Sequence, residues 1–362
     1  MQQCIGATRP RHVRASPAAR DAGRDGGVVV RRHRGPSMDL RIHPSGRANS
    51  QFAWSGSTAP GYRRPVIYQH PLAYLLGVEG LALLRAWAGD YGEAFVRDRL
   101  AEVRWLLDEP ALAGHAGVAV RRGDLPGAYR GWSATYDQPR NSLFDSDEPV
   151  MNEILEALPA GTVLDAACGT GRYAAYLAAR GHRVLGVDSS PEMLHRARVR
   201  VPQGTFLRGD LHRLPLADGA VDVVVCALAL VHVPALAPVM TEFARVLRPG
   251  GHLAISDVHR DLVTLGSVVH APGPAGEPGL APTYRHSTGD YLRATLPVGL
   301  RVRRCEEPRP RLPDQPVSPP EEITVGEWAD WPWTLLPLIP AATHVAWDKP
   351  STTVWHFQLD HS

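Results

Sequence analysis

Residues 163–172, which run Val-Leu-Asp-Ala-Ala-Cys-Gly-Thr-Gly-Arg, decide the fold of this chain. The pattern predicts an apolar strand over Thr162–Ala166, a glycine turn, and a helix over Arg172–Ala179. Glycine has no Cβ, so such a turn lets a ligand approach the backbone closely. The free N–H groups at the start of the helix attract the anionic parts of a ligand. The stretch therefore predicts a binding site at a strand–helix junction.

The segments that follow alternate between strand and helix patterns. The apolar run Val221–Cys226 is typical of a strand buried on both faces. This alternation indicates a parallel sheet covered by helices. Further strands are predicted over Arg183–Val187, Thr205–Arg208, His252–Ser256, Leu300–Arg304 and Thr353–Leu359, and further helices over Pro191–Val199, Ala235–Val246 and Tyr291–Leu296.

The remainder of the chain differs from this alternating region. Residues 1–37 are rich in Arg, Gly and Ala, without periodicity, and we expect a disordered leader. Residues 38–128 are predicted to be a helical extension, with two packed helices between Pro71 and Leu107. A mixed, turn-rich segment over 108–150 is expected to lead from this extension into the main domain. The main domain is expected over 129–362, with a Trp- and Pro-rich insertion at about 308–350. The helical pair could shield a substrate pocket, mediate a homodimer, or simply pack on the main domain.

Composition excludes several classes of protein. The net charge of +2 offers no basis for binding nucleic acid or a membrane surface, and no apolar run is long enough to span a bilayer. The four cysteines show no zinc-ligand spacing, so we expect reduced thiols, no metal and a cytoplasmic location. The bias toward Arg, Ala, Gly and Pro is associated with GC-rich bacterial genomes.

Three carboxylates bear on which ligand the glycine turn binds. The pattern Gly169-x-Gly171-x-x-Ala174 also fits dinucleotide-binding proteins. Asp165, however, would repel a diphosphate and attract an ammonium group. Asp188, at the end of the next strand, suits the two hydroxyls of a ribose, and Asp210, after the third strand, suits an adenine amino group. A ligand with an ammonium, a ribose and an adenine but no phosphate is S-adenosylmethionine.

Four stretches extend this interpretation to a family. They are VLDAACGTGR (163–172), GVDSSPEML (186–194), GDLHRLPLADGAVDVVVC (209–226) and RVLRPGGHLAISD (245–257). Over roughly residues 129–260 the chain resembles the class I S-adenosylmethionine-dependent methyltransferases, in particular the small-molecule group that includes the ubiquinone/menaquinone methyltransferases. The resemblance implies an α/β, Rossmann-like, mostly parallel seven-stranded sheet with helices on both faces. It also implies transfer of a methyl group to an O, N or C atom of a small molecule.

The resemblance assigns roles to individual positions. Asp165 would act through the loop and the methionine ammonium, and Asp188 would bind the ribose hydroxyls. Asp210 and the amide of Leu211 would contact the adenine edge. The implied cofactor-binding residues are Tyr136, Asp165, Ala167, Gly169, Gly171, Asp188, Ser189, Met193, Asp210, Leu211 and Ala227.

The other assigned positions lie around the cofactor. Met193 would pack on the adenine face, Ala227 would lie near the sulfonium, and Tyr136 would close over the methionine end. Gly169 and Gly171 would let the backbone approach. Ala167 departs from the family pattern, which often has glycine at this position. Structural roles are also open, since Asp188 could cap a helix and Met193 could be plain core.

Two histidines are candidate general bases. His232 follows the strand Val221–Cys226, and His259 follows the strand His252–Ser256. Both positions should lie at the carboxyl edge of the sheet, where α/β proteins bind ligands. Either could accept a proton near neutral pH, or merely line the pocket. The tryptophans between 328 and 347 could form an apolar wall over the acceptor or a purely stabilising cover.

Two other functions remain open from the residues alone. An NAD-dependent oxidoreductase would share the glycine turn, although it would be expected to have an apolar residue in place of Asp165 and a recognisable hydride-transfer site. A non-catalytic cofactor-binding regulatory subunit would show the same binding motifs.

Overall fold

The computed structural model describes residues 66–133, 136–137, 142–273, 275–310, 318–320 and 322–361. The leader predicted over 1–37 lies outside the described residues, as does the start of the predicted extension. None of the helices in these ranges is both long and apolar enough to cross a bilayer.

The described chain begins with the predicted helical pair. Helix α1 has proline in its first turn, where the missing N–H costs no hydrogen bond. Its buried positions Leu75, Val78, Ala82 and Ala86 recur at helical spacing. The expectation of two helices between Pro71 and Leu107 is confirmed, whereas the homodimer stays a prediction. The elements up to the main sheet are β1 (Ile67–Gln69), α1 (Pro71–Trp87), α2 (Glu93–Asp108), α3 (Pro110–Ala113), β2 (Val118–Arg122), α4 (Leu125–Trp132) and α5 (Ser142–Glu156).

The expectation of a mixed, turn-rich segment over 108–150 was wrong, because much of this range is regular. Asp124 starts α4 by accepting a hydrogen bond from the N–H of Gly127 at 2.5 Å. Helix α5 contains Pro149 in its interior, which obscures its helical pattern in the sequence. Its buried residues Met151, Ile154 and Leu155 pack on the sheet, and this packing outweighs the unfavourable proline.

The main sheet has seven strands in the order β5-β4-β3-β6-β7-β10-β9. The first five are mutually parallel, and β10 is antiparallel to both its neighbours. The expected α/β fold with a mostly parallel seven-stranded sheet is therefore confirmed. From β3 onward the elements are β3 (Thr162–Ala166), α6 (Arg172–Ala178), β4 (Arg183–Asp188), α7 (Pro191–Arg200), β5 (Thr205–Arg208), β6 (Val221–Ala227), α8 (Leu236–Val246), β7 (Leu247–Val258), α9 (Arg260–Thr264), β8 (Gly279–Leu280), α10 (Thr288–Thr295), β9 (Leu300–Glu306), α11 (Pro340–Trp347) and β10 (Thr352–Leu359).

Helices cover both faces of this sheet. Helices α5, α6 and α7 contribute Met151, Leu177 and Leu194 to the core on one face. On the other face, α8 and α10 contribute Phe243 and Tyr291. Strand order reverses between β3 and β6, since the chain runs outward from β3 through β4 to β5 before returning to β6. Loops that leave β3 and β6 therefore diverge, which opens a crevice at the carboxyl ends of these strands.

A second hydrophobic core joins segments that are far apart in the sequence. Leu75 and Leu112 from the extension pack with Trp331, Leu338 and Ile339 from the Trp- and Pro-rich region. A small sheet of β1, β2 and β8 and a cluster around Ala128, Ala271 and Ala281 continue this unit toward α4. We call the unit formed by residues 67–132, 265–281 and 322–347 the cap. The tryptophan-rich region thus belongs to the same core as the N-terminal helices.

A buried ion pair ties α5 to the glycine turn. The carboxylate of Asp147, which has no solvent exposure, accepts two hydrogen bonds from the Arg172 guanidinium, at 3.0 and 2.9 Å. It also accepts one from the hydroxyl of Ser256 on β7 at 2.7 Å. The Arg172 guanidinium lies 4.0 Å from the ring centre of Phe144. This cluster fixes α5 to the start of α6, just behind the glycine turn.

We expect Asp147→Asn to lower the free energy of unfolding by roughly 2–3 kcal/mol, because Arg172 would lose its fully buried counter-charge and keep only the partly exposed Glu148, at 3.1 Å. A matched control lies at the surface, where Glu156 at the end of α5 accepts a hydrogen bond from Arg180, which follows α6, at 2.9 Å. Glu156→Gln should leave the free energy of unfolding nearly unchanged, since that pair is solvated. Urea denaturation checks both variants, and equal losses would contradict the importance of the buried pair.

Candidate active site

A cavity opens at the carboxyl ends of β3, β4 and β6, where the strand order reverses. Predicted cofactor-binding residues form much of its wall. The nine that line it are Tyr136, Ala167, Gly169, Asp188, Ser189, Met193, Asp210, Leu211 and Ala227. His232 lines it as well, whereas Asp165, Gly171 and His259 do not. The structure therefore brings most of the predicted site together and leaves out three of its members.

Asp188 connects the loops on two sides of the cavity. One carboxylate oxygen accepts a hydrogen bond from the N–H of Gly169 at 2.8 Å, and the other accepts one from the N–H of Ser190 at 2.8 Å. Burial raises the pKa of this carboxyl group, while these backbone donors oppose the rise. Each oxygen keeps a lone pair for one further donor. Ser190, rather than Asp188, caps α7, by accepting from the N–H of Met193 at 3.2 Å.

Asp210 presents a carboxylate to the cavity just after β5, the strand that pairs with β4. Its side chain is 71% exposed, so it is open to a ligand. One oxygen accepts from the backbone N–H of His212 at 2.8 Å and contacts the His212 ring Nδ1 at 2.6 Å. Hydrogen bonding to His212 lowers the pKa of Asp210, so the group is ionised at neutral pH.

The turn after β3 has three residues with left-handed backbone geometry. Ala167 has φ 57°, Gly169 has φ 51° and Gly171 has φ 84°. The left-handed conformation explains why glycine suits position 167, and alanine adopts it here at a modest cost in strain. A Cβ on Gly169 would meet no atom within 4 Å, consistent with a backbone open to the cavity.

The structure corrects the role expected for Gly171. A Cβ at this position would lie 3.1 Å from the Cα and 3.2 Å from the Cβ of Ala197 on α7. Glycine is therefore required here for close packing of α6 on α7, and Gly171 does not form part of the cavity wall.

Asp165 is likewise turned away from the cavity. Its carboxylate is buried and accepts a hydrogen bond from the N–H of Ala174 at 2.8 Å, in the first turn of α6. Burial raises its pKa to about 7, a rise that the Ala174 amide and the charge of Arg172 partly offset. Asp165 thus holds the first turn of α6 and does not line the cavity, and its action through the methionine ammonium stays a prediction.

His232 lies at the end of the cavity away from Asp210. It belongs to a 3-10 turn over Leu230–His232, and its Nδ1 lies 2.7 Å from the carbonyl oxygen of Pro282. A carbonyl can only accept, so Nδ1 carries the proton and Nε2 of the neutral ring is an acceptor. Burial lowers the pKa of His232, so the ring is neutral at pH 7.

The 3-10 turn is held in place by β7. The N–H of Val231 donates to the carboxylate of Asp257 at 3.0 Å, and the N–H of Leu228 donates to the Ser256 carbonyl at 2.7 Å. Leu228 has φ 55°, which is unfavourable for leucine and persists because these contacts determine the loop. The hydroxyl of Tyr291 donates to the second oxygen of Asp257 at 2.7 Å. Burial raises the pKa of Asp257 to about 6.

His259 is not brought to the cavity. It caps α9, with its Nδ1 accepting from the N–H of Asp261 at 3.2 Å, and its Nε2 lies 3.5 Å from a carboxylate oxygen of Glu307. It follows β7 as expected but is not among the residues that line the cavity. Among the two predicted bases, only His232 has access to a ligand.

Several residues of the site were missed from the sequence. Helix α4 supplies Leu125, Pro126 and Tyr129 to the cavity wall. The combination of Asp124 before Leu-Pro is a helix-start signal that could have revealed this helix. Asp137 was also missed. It accepts from Arg200 of α7 at 2.5 Å and from the Thr170 hydroxyl at 3.2 Å, and so fastens the segment with Tyr136 to the glycine turn.

Metal binding finds no support in the described parts of the chain, where no group of three or more His, Cys, Asp or Glu side chains could hold an ion.

Comparison with known proteins identifies a family match for part of the chain. Residues 164–255, from β3 into β7, match the model of a methyltransferase domain. The chain carries a methyltransferase domain over these residues. The matched residues hold the glycine turn, Asp188, Asp210 and His232, whereas α4 and the rest of the cap lie outside the match.

Curated relatives share the methyltransferase domain with this chain. An uncharacterized methyltransferase of Synechocystis sp. is 42% identical over 110 residues, which is 30% of this chain and 52% of the relative. A malonyl-[acyl-carrier protein] O-methyltransferase of Pectobacterium atrosepticum is 39% identical over 106 residues, 28% of this chain and 42% of the relative. A demethylmenaquinone methyltransferase of Beutenbergia cavernae is 39% identical over 105 residues, 29% of this chain and 44% of the relative. The chain thus spans about half, or less, of the length of these relatives.

The two glycines of the methyltransferase domain should respond differently to alanine. Gly171→Ala should lower the free energy of unfolding by roughly 2–3 kcal/mol, from left-handed strain together with the contact on Ala197. Gly169→Ala should cost about 1 kcal/mol, from strain alone, yet weaken binding of S-adenosylhomocysteine because its Cβ enters open cavity space. Ala167→Gly serves as a control and should be neutral or slightly stabilising. Chemical denaturation and calorimetric titration separate these outcomes, and identical behaviour of the two glycine variants would contradict the assignment.

The buried carboxyl of Asp165 should make stability depend on pH. Its pKa is about 7 in the folded protein and about 3.9 when unfolded, so the folded state binds the proton more tightly. The resulting stabilisation is complete below about pH 4 and is lost as the pH rises to 7. Asp165→Asn, which stays neutral, should gain stability relative to the parent over this interval, by up to about 1.4 kcal/mol per pH unit. Asp257 titrates in both the parent and the variant, so its contribution cancels in the difference between their free energies of unfolding. Denaturation at pH 4, 5.5 and 7 measures this difference, and a difference that does not change with pH would refute the expectation.

Proposed function

We propose that this protein transfers a methyl group from S-adenosylmethionine to a small-molecule acceptor by direct displacement. The observation that carries the proposal is the cavity at the strand reversal, whose wall combines the carboxylates of Asp188 and Asp210 with the open backbone of Gly169. The methyltransferase domain match and the names of the relatives support it.

The residues of the cavity fit this cofactor. Asp188 has two oxygens with spare acceptor capacity, which suits two neighbouring ribose hydroxyls. Asp210 offers an exposed, ionised carboxylate to an amino group such as that of adenine. Both groups are acids, and no Arg or Lys is among the described residues of the wall, so a diphosphate would be repelled. These features disfavour the NAD-dependent alternative.

When bound, S-adenosylmethionine supplies an electrophilic methyl group on a sulfonium. The protein must then align the acceptor and exclude water. Tyr136 and Tyr129, whose ring centres are 6.5 Å apart, both line the cavity and suit these tasks. Tyr136 is anchored through its neighbour Asp137, which holds it at the cavity mouth near the glycine turn.

His232 is our proposed proton acceptor. Its Nε2 is the only ring nitrogen left for a ligand, because Nδ1 donates to the Pro282 carbonyl. A neutral imidazole in this position can accept a proton from an acceptor molecule during transfer. His259 lacks this access and takes no part in the proposal.

The proposal extends to the setting in which the protein works. A role in small-molecule biosynthesis in the cytoplasm of a bacterium agrees with the names of the bacterial relatives. A homodimer through the N-terminal helices would place Trp87 of α1, which is 91% exposed, at the contact.

The decisive experiment compares cofactor binding. S-Adenosylhomocysteine should bind the protein in calorimetric titration, and NAD should not. Asp210→Asn should weaken S-adenosylhomocysteine binding by roughly tenfold or more, because one charge-assisted hydrogen bond is lost. Asp218→Asn removes a carboxylate that is exposed beside Arg245, outside the cavity, and should leave the affinity unchanged.

Two results would oppose the proposal. Binding of NAD alone would overturn the cofactor. Binding of S-adenosylhomocysteine, without transfer of labelled methyl to any component of a metabolite extract, would favour the regulatory-subunit alternative.

A further inference from the structure

The cavity wall near His232 is apolar and is built partly by the cap. Leu125 and Pro126 come from the first turn of α4, while Leu228, Ala229 and Val233 come from the loop after β6. Helix α4 is held there by a small core in which Ala128 packs with Ala271 and Ala281, and Leu125 packs against it. This end of the cavity offers van der Waals contact to a flat or extended apolar body.

The polar groups at this end are few and their orientations are determined. His232 presents Nε2 as a hydrogen-bond acceptor, since Pro282 occupies Nδ1. The ring of Tyr129 meets His232 edge to face, with centres 5.6 Å apart. An acceptor molecule that reaches Nε2 must therefore supply a hydrogen-bond donor and must fit against aromatic and aliphatic surfaces.

The charges on the cavity wall disfavour an anionic ligand. Its described residues include the carboxylates of Asp188 and Asp210 and no Arg or Lys. Burial, reinforced by the negative charges of Asp188 and Asp257, raises the pKa of Tyr129. The same surroundings would disfavour any anionic group placed beside Tyr129, because a buried charge without a counter-charge is costly.

We infer that the methyl acceptor is an uncharged molecule with an apolar, ring-like body and a weakly acidic hydroxyl group, placed against α4 and hydrogen-bonded to Nε2 of His232. The inference rests on the proposed function and adds the substrate class to it. Carboxylates and phosphorylated compounds are excluded as acceptors by the same features.

The chemistry of this acceptor class balances with the residues present. The hydroxyl proton passes to Nε2 of His232, and the acceptor oxygen forms a bond to the methyl carbon as the sulfur–carbon bond breaks. The positive charge of the sulfonium is lost as the imidazolium gains one, and the imidazolium later releases its proton to water. No oxidant, reductant or metal is needed.

A matched pair of probes tests the inference on the full-length protein saturated with S-adenosylhomocysteine. The probes are 2-naphthol and 2-naphthoate, which are similar in size and differ in charge. We expect 2-naphthol to bind with a Kd below about 1 mM and 2-naphthoate to bind at least about tenfold more weakly, by ligand-observed NMR. With labelled S-adenosylmethionine, only 2-naphthol should yield a methylated product.

Two variants locate the probe. His232→Asn retains a side-chain N–H near the position of Nδ1, and so the contact with Pro282, but removes Nε2. It should weaken 2-naphthol binding several-fold and lower methyl transfer at least about 100-fold, with S-adenosylhomocysteine affinity unchanged. Leu125→Arg adds a cation to the half-buried wall of α4 and should reverse the preference in favour of 2-naphthoate.

The outcomes separate this inference from the function on which it rests. A failure of S-adenosylhomocysteine to bind would refute the proposed function. If that ligand binds but 2-naphthoate binds as well as 2-naphthol, or 2-naphthol does not bind at about 1 mM, the acceptor class is wrong while the cofactor assignment stands. Insensitivity of 2-naphthol binding to both variants would also overturn the inference.

Discussion

The carboxylate of Asp188 is the contact on which the site depends. It accepts backbone hydrogen bonds from Gly169 in the turn after β3 and from Ser190 in the turn after β4. These two turns leave adjacent parallel strands, and the carboxylate joins them in addition to the backbone hydrogen bond from Cys168 to Val187. Because both carboxylate oxygens are engaged by rigid backbone donors, the side chain is preorganised for a ligand before one arrives.

Other buried residues around the glycine turn support the site and do not line the cavity. Asp165 holds the first turn of α6, Gly171 allows α6 to approach α7, and Asp147 neutralises Arg172 behind the turn. These groups are buried, so their energetic effect falls on the shape of the loop. The buried residues behind the cavity wall therefore set the positions of the groups that a ligand contacts.

The far end of the cavity depends on a different part of the molecule. The cap reaches it through α4, and the carbonyl of Pro282, directly after the cap segment 265–281, orients His232. Both α4 and Pro282 lie outside the residues that match the methyltransferase domain. The predicted cofactor-binding residues thus lie largely in the matched domain, and the other end of the cavity is shared with segments outside the match. Because different segments build the two ends of the cavity, the acceptor end can differ between proteins while the cofactor end stays the same.

Much of the fold and of the cofactor end followed from the sequence, since both depend on local patterns. The strand–turn–helix around Gly169, the later strands and the positions of Asp188 and Asp210 are each encoded within a few residues, and a parallel sheet brings strand ends to one edge. Helix α5 was missed because Pro149 masks its pattern and packing on the sheet compensates. The acceptor end could not be predicted, because the partner of His232 lies 50 residues away and α4 reaches the wall only through the core of the cap. Sequence by itself determined what kind of cofactor fits, and only the tertiary structure decided which side chains face the acceptor, since long-range packing sets their direction.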